Sequence, residues 1–219
     1  MFFTLVLAVG GGLITKSGYS NRYASVVFVP FLALVVLGVL TLKDPRARVV
    51  VLAVAVAAGL WLGAENVSTE RTQAAVVAGV LAAHAKPGDV VAYCPDQLGP
   101  AVWRLTADAG YRQITYPRSQ NPAIIDWVDY KTAISSSKPK RFVHELQADA
   151  GSTHSIWLVW APGYQGYGIR CELIAESLLN ARGYGGHTWV NQKPGTYYSP
   201  MNLTQYVKLP ASTAATAGP

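Results

Sequence analysis

Two hydrophobic regimes divide this chain. Up to residue 64 the apolar runs are long and uncharged; beyond it they are short and bounded by glycine, proline and charged positions. Residues 23–42 (YASVVFVPFLALVVLGVLTL) form twenty positions without a charge, the length that crosses a hydrocarbon core of about 30 Å. Residues 49–64 are sixteen uncharged positions, enough to cross if Arg48 snorkels and Trp61 lies at the interface. Residues 1–15 make a third apolar run, interrupted by Gly10, Gly11 and Gly12. The pattern predicts about three transmembrane helices, at 1–15, 23–42 and 49–64. A cleaved signal peptide is the alternative for the first, but no basic residue precedes the run and no small-x-small site clearly follows it.

From Ser68 onward the pattern alternates between helix and strand. Residues 72–85, rich in Ala and Val, predict a helix ended by Pro87-Gly88. Residues 89–94 (DVVAYC) read as a buried strand. Apolar positions 98, 102, 105 and 109 mark a helix closed by Gly110, and 112–116 a second strand. Residues 117–122 read as a loop, and 124–130 fit either a strand or a turn. Ser137 and Pro139 open a helix running to about Ala150. Residues 155–161 (SIWLVWA) predict a strand, 172–181 a helix, 187–190 a strand and 202–209 an added edge strand. Such alternation predicts an α/β domain over 65–209 with a mainly parallel sheet covered by helices. The small-residue stretch 210–219 reads as a disordered tail.

Composition sharpens the division. The 219 residues are 51% hydrophobic and only 14% charged, with a net charge of +6, whereas soluble domains carry about a quarter charged residues. Residues 1–63 hold five basic groups and one acid; the remainder holds thirteen and eleven. An all-soluble protein, a disordered chain and a strongly basic nucleic-acid-binding domain are thereby excluded, and the expected partner is a lipid bilayer. Lys43-Asp-Pro-Arg-Ala-Arg48 carries three basic groups, against two between Lys16 and Arg22. The denser loop is expected in the cytoplasm. That makes the chain a multi-pass protein of the cell (plasma) membrane with residues 65–219 extracytoplasmic.

Cys94 and Cys171 are the only cysteines. In an oxidising compartment an even pair suggests a disulfide; two buried, unpaired thiols are the alternative. Both fall at the carboxyl edge of the predicted sheet, where a bridge would staple the 95–99 loop to the 163–170 loop. The loop Gly163-Tyr-Gln-Gly-Tyr-Gly168 lies between a strand and a helix, where glycine-rich loops cradle phosphates. Its spacing is not G-x-G-x-x-G, and a surface turn is the simpler reading. His84, His144, His154 and His187 are scattered without metal-ligand spacing, so no metal and no cofactor is expected. No G-x-S-x-G elbow is present.

Four further features have both a bland and a chemical reading. Asp126 and Asp129 are turn caps or paired carboxylates. Lys138-Pro-Lys-Arg141 is a solvated basic face or a contact for anionic headgroups. Asn66-Val-Ser and Asn202-Leu-Thr are glycosylation sequons. Asn21-Arg22-Tyr23 precedes the strongest span on its outer side. There an arginine fork can hold two oxygens of a lipid-linked phosphate, or merely anchor the span at the interface.

The Arg22-Tyr23 pair leads into a Pro-containing span (RYASVVFVPFLALVVLGVL), followed by the basic turn and another span. Together with GDVVAYCPDQLGPAVWRL and SIWLVWAPGY, this arrangement resembles the C-terminal portion of bacterial, actinobacterial-like C-type membrane glycosyltransferases of the protein-mannosyltransferase-like type. The resemblance covers about residues 15–208. It implies transfer of a sugar from a polyprenyl-phosphate donor on the outer membrane face, with Arg22 and Tyr23 as donor-phosphate contacts. The family has many more spans, and its catalytic acid lies in the first outer loop. Here no acid precedes Asp44, which is expected on the cytoplasmic side. No catalytic residue is assigned, and the chain is expected to be a C-terminal part that does not act alone. The reading from a different class is a membrane-anchored extracytoplasmic binding or assembly module without catalysis.

Overall fold

The computed structural model describes residues 25–68 and 70–209, which form two compact units divided between residues 69 and 70. The first unit contributes two described helices. Helix α1 (Ser25–Leu40) is apolar along its sixteen residues and contains Pro30. At the helical rise it reaches only about 24 Å, less than the hydrocarbon core. Helix α2 (Pro45–Ser68) has 24 residues, about 36 Å. It is the one helix among the described residues that is long and apolar enough to cross a membrane.

The start of α2 is well specified. The Arg46 N–H donates to Asp44 Oδ1 at 2.8 Å and Pro45 takes the first helical position, a standard N-terminal arrangement. Arg48 Nε donates to the Leu42 carbonyl at 2.8 Å, so its charge folds back onto the preceding turn and away from the apolar run. No α2 side chain is buried within the chain. Of the three expected spans, 49–64 lies within α2 and 23–42 is described only as the shorter α1. The 1–15 run, Arg22, Tyr23 and the 210–219 tail lie outside the described residues.

The second unit is an α/β domain built on a five-stranded sheet in the order β2-β1-β3-β5-β4. Strand β1 (Val90–Cys94) pairs in parallel with β2 (Arg112–Thr115) and with β3 (Ile156–Trp160). Strand β5 (Asn202–Lys208) runs antiparallel to both β3 and β4 (Tyr184–Val190). The central strand reads as one continuous apolar run because both of its faces are covered. Val91 and Tyr93 join Trp157 and Val159 beneath α3 (Ala74–His84) and α4 (Gly99–Thr106). Val90, Ala92 and Cys94 join Ile156 and Leu158 beneath α5 (Tyr130–Ser136), α6 (Pro139–Ala150) and α7 (Arg170–Leu179).

The sheet is mixed rather than mainly parallel, and the connection explains why. Residues 191–201, between β4 and β5, contain no helix, so the chain lacks the crossover a parallel pair requires and returns antiparallel. The last strand is not an edge either. It inserts between β3 and β4, with Leu203 and Tyr206 buried, and leaves β4 outermost. Asn202 of the second sequon is itself buried, its Oδ1 accepting the Gln192 N–H at 2.9 Å, so the folded domain does not present it for glycosylation. The ambiguous 124–129 stretch is turn and irregular backbone. Helix α5 follows it after Asp129, whose φ of 48° is left-handed and whose side chain makes no cap.

A buried carboxylate fixes the amino end of the sheet. Asp89, 3% exposed, accepts the N–H of Lys86 at 3.0 Å, the N–H of Ser155 at 2.9 Å and the indole N–H of Trp157 at 2.9 Å. The turn before β1 is thereby tied to the start of β3. Asp89→Ala would strand three donors in the interior and should lower the unfolding free energy by about 2–4 kcal/mol. Asp89→Asn, which keeps one acceptor, should lower it by less. Urea unfolding of the full chain followed by tryptophan fluorescence measures both.

Candidate functional site

In an open α/β sheet, ligands settle at the carboxyl ends of neighbouring strands whose following helices lie on opposite faces. Strands β1 and β3 meet that condition: β1 leads into α4 on one face and β3 into α7 on the other. Here the carboxyl edge is drawn tight. Cys94, the last residue of β1, and Cys171, in the first turn of α7, form a disulfide with Cα atoms 5.5 Å apart and a sequence separation of 77. A bridge closing a loop of that length contributes about 4–5 kcal/mol in the chain-entropy account.

Two residues past Cys94 lies Asp96, 5% exposed. It accepts hydrogen bonds from the Tyr130 hydroxyl and, at 2.9 Å, from the Tyr167 hydroxyl. The two hydroxyl oxygens are 2.7 Å apart, and the Gln97 amide donates to Tyr130 Oη at 2.6 Å. Asp96 follows β1, Tyr130 opens α5 after β2, and Tyr167 follows β3, so each crossover sends one member into the cluster. Among the described residues no basic side chain pairs with Asp96. Burial therefore raises its carboxyl above the ordinary aspartate value, outweighing the hydrogen bonds from both tyrosines. Burial likewise pushes both tyrosine hydroxyls upward, and the nearby Asp96 adds to the effect. Tyr167 is itself fully buried, and its hydroxyl ties the loop after β3 to the loop after β1. The cluster is a buried clasp that ties three loops together.

One open cleft lies a strand over, beyond β2. A cleft of about 460 Å³ is lined by Tyr116, Arg118, Ser119, Ser137, Lys138, Arg141 and Glu145, with neighbours. Its groups have different partners. Arg118 pairs with Asp126 and also donates to the Val128 carbonyl. Ser119 Oγ donates to Glu145 Oε2 at 2.7 Å, and Ser137 Oγ donates to Tyr116 Oη at 2.6 Å. Lys138 and Arg141 are both exposed, and among the described residues no carboxylate is within salt-bridge distance of either. Lys138 stands at the start of α6, whose first turn has no side-chain cap and begins with Pro139. The result is a polar recess in which Lys138 and Arg141 outnumber the single carboxylate of Glu145, an environment suited to an anion.

The residues singled out from sequence separate cleanly. The basic cluster divides: Lys138 and Arg141 line this cleft, and Lys140 lines a groove between α6 and α7. Asp126 and Asp129 are not a carboxylate pair; Asp126 binds Arg118 and accepts the Val128 N–H at 2.9 Å. In the 163–168 loop the Gly163 N–H donates to Glu172 Oε1 at 2.7 Å, so a carboxylate already fills the place of a phosphate there. His84 and His187 pack against Trp189, and His154 faces Asp89. The described residues contain no group of three metal-ligating side chains. Arg22 and Tyr23 lie outside the described residues. Sequence reasoning passed over Asp96 and Arg118. Asp96 had a signal, an acid directly after a buried strand; Arg118 had none. The chain matches no protein-family model, no curated protein and no solved structure.

Asp96 gives a signed pH dependence. A carboxyl whose folded-state pKa is raised binds its proton more tightly in the folded state. Its stabilising contribution is present below the ordinary aspartate value and is lost as pH rises through the raised value. Asp96→Asn keeps an acceptor for the tyrosines and removes the charge. Its melting temperature should change less than that of the parent across this acid-to-neutral interval, measured on the full chain. Parallel profiles would contradict the assignment.

Proposed function

We propose that this chain is a membrane-anchored module whose α/β domain binds a phosphate-bearing anion in the cleft beside β2. The observation that carries this is the pairing of the charges. Lys138 and Arg141 face the recess without a carboxylate partner, while Glu145 and Asp126 are engaged by Ser119 and Arg118. The Cys94–Cys171 bridge favours an oxidising, extracytoplasmic compartment for the domain. The length and apolarity of α2 favour an anchor in the plasma membrane, with 1–15 and 23–42 as further spans of a multi-pass arrangement.

The reading is tested with pyrophosphate as the probe. Titrated into the purified full chain, it should bind saturably and more weakly as salt is raised. Lys138→Glu or Arg141→Glu should weaken binding about tenfold or more, the worth of one charge-assisted hydrogen bond, while Lys140→Glu leaves it unchanged. Absence of saturable binding, or equal losses in all three variants, would overturn it.

A second reading rests on the resemblance in the segments around Arg22, Cys94 and Trp160. In it the chain is the C-terminal portion of a membrane glycosyltransferase that uses a polyprenyl-phosphate sugar donor. Arg22 and Tyr23 then hold the donor phosphate, and the catalytic acid lies elsewhere in the enzyme. In an intact enzyme of that kind Arg22→Ala should raise the donor concentration needed for half-maximal rate without altering membrane insertion. Unchanged donor dependence would remove the assignment.

A further inference from the structure

The most exposed apolar side chains of the α/β domain include three that fall within five residues of one another. Ile124, Trp127 and Val128 are 73%, 62% and 70% exposed. They sit on the loop between β2 and α5, at the carboxyl edge of the sheet. The loop is braced rather than slack. Arg118 grips it twice, at the Asp126 carboxylate and the Val128 carbonyl. Asn121 Oδ1 accepts the Ala123 N–H at 2.9 Å, and the Trp127 ring lies 5.0 Å from that of Tyr130, which is rooted in the Asp96 clasp. The braced loop holds its apolar side chains out in solvent, and such clustered exposure marks a surface that meets something apolar.

We infer that this loop is a membrane-contact element, with Trp127, Ile124 and Val128 entering the headgroup–acyl boundary of an anionic bilayer. Tryptophan flanked by aliphatic residues is the composition favoured at that depth. The charges beside it complement anionic headgroups: Lys131 follows the loop directly, and Lys138 and Arg141 are exposed with no carboxylate partner among the described residues. Of the nearby acids, Asp126 is paired with Arg118, while Glu145, which among the described residues accepts only the Ser119 hydroxyl, and Asp129 oppose the three cations Lys131, Lys138 and Arg141 and leave the balance positive. If α2 anchors the chain as proposed, the domain also works beside a lipid surface. This contact goes beyond the anion-binding reading and needs no ligand in the cleft, so either can fail without the other.

The test uses the full chain reconstituted into phosphatidylcholine vesicles with or without phosphatidylglycerol. An environment-sensitive fluorophore is placed at Trp127→Cys, with the native cysteine pair left bridged. The control label is at Asp108→Cys, an exposed turn position before β2 at the opposite edge of the sheet. Circular dichroism confirms that both labelled chains are folded. The 127 label should shift to the blue, be quenched by brominated lipid and lose several-fold of its accessibility to aqueous iodide, and the 108 label should do none of these. Phosphatidylglycerol should strengthen the effect, and Lys131→Glu should weaken it by about fivefold in the docked-to-free ratio. Equal iodide accessibility at 127 and 108 overturns the inference. So does protection at 127 that follows protein density and not lipid composition, which would assign the loop to a second copy of the chain.

Discussion

Strand β1 is capped at both ends by a buried carboxylate, and the rest of the domain is arranged around those two groups. A buried charge is tolerated only where enough donors meet it. At the amino end Asp89 meets three N–H groups, one from the turn before β1, one from the start of β3 and one from the Trp157 indole. At the carboxyl end Asp96 meets two phenolic hydroxyls. Burial raises that carboxyl above the ordinary aspartate value, and the two hydroxyls offset only part of the effect. One end of the strand is thus held by three N–H donors on one carboxyl and the other by two hydroxyl donors on another. Because Asp96, Tyr130 and Tyr167 come from three successive crossovers, loss of any one loosens all three loops.

The disulfide makes the same edge redundant. Cys94 lies two residues before Asp96, and Cys171 lies four after Tyr167, so covalent and hydrogen-bonded links join the same pair of elements. This redundancy has a consequence for where the domain can bind anything. An open sheet usually leaves its crevice between the two strands whose crossovers diverge. In this domain the loops after those two strands are tied to each other by the Tyr167–Asp96 hydrogen bond and the disulfide. An open recess lies instead beyond β2, where Tyr116, Arg118 and the start of α6 meet. The chemistry of the recess is set by what α6 brings to it, two cations at its first turn, and not by the strand ends themselves.

The strands of this domain were legible because each is short, apolar and punctuated. DVVAYC and SIWLVWA sit in the structure as β1 and β3, buried on both faces as an unbroken apolar run implies. The cysteine pairing was legible too, since both positions follow from the strand assignments. What could not be read depends on partners distant in sequence. The insertion of β5 between β3 and β4 leaves no mark on 202–208 beyond its apolar residues. Helix α5 (YKTAISS) lacks a capping side chain and an apolar stripe, and its single buried residue is Ile134. Arg118 looked like any loop arginine, and only the folded loop brings Asp126 and the Val128 carbonyl to it. Length and charge read the apolar first third as three spans, and among the described residues one helix, α2, is of spanning length.

Arg118 links the two features of the carboxyl edge. Its guanidinium forms part of the wall of the basic recess and at the same time holds the loop that displays Trp127. A planar group with five donors can serve both sides at once, which a lysine ammonium at this position could not do with the same geometry. Its pairing with Asp126 removes one negative charge from the neighbourhood of Lys131, Lys138 and Arg141. The edge therefore keeps a positive balance beside exposed apolar side chains, and the polarity of each depends on the same arginine. Apolar display and cationic display here are two results of one brace.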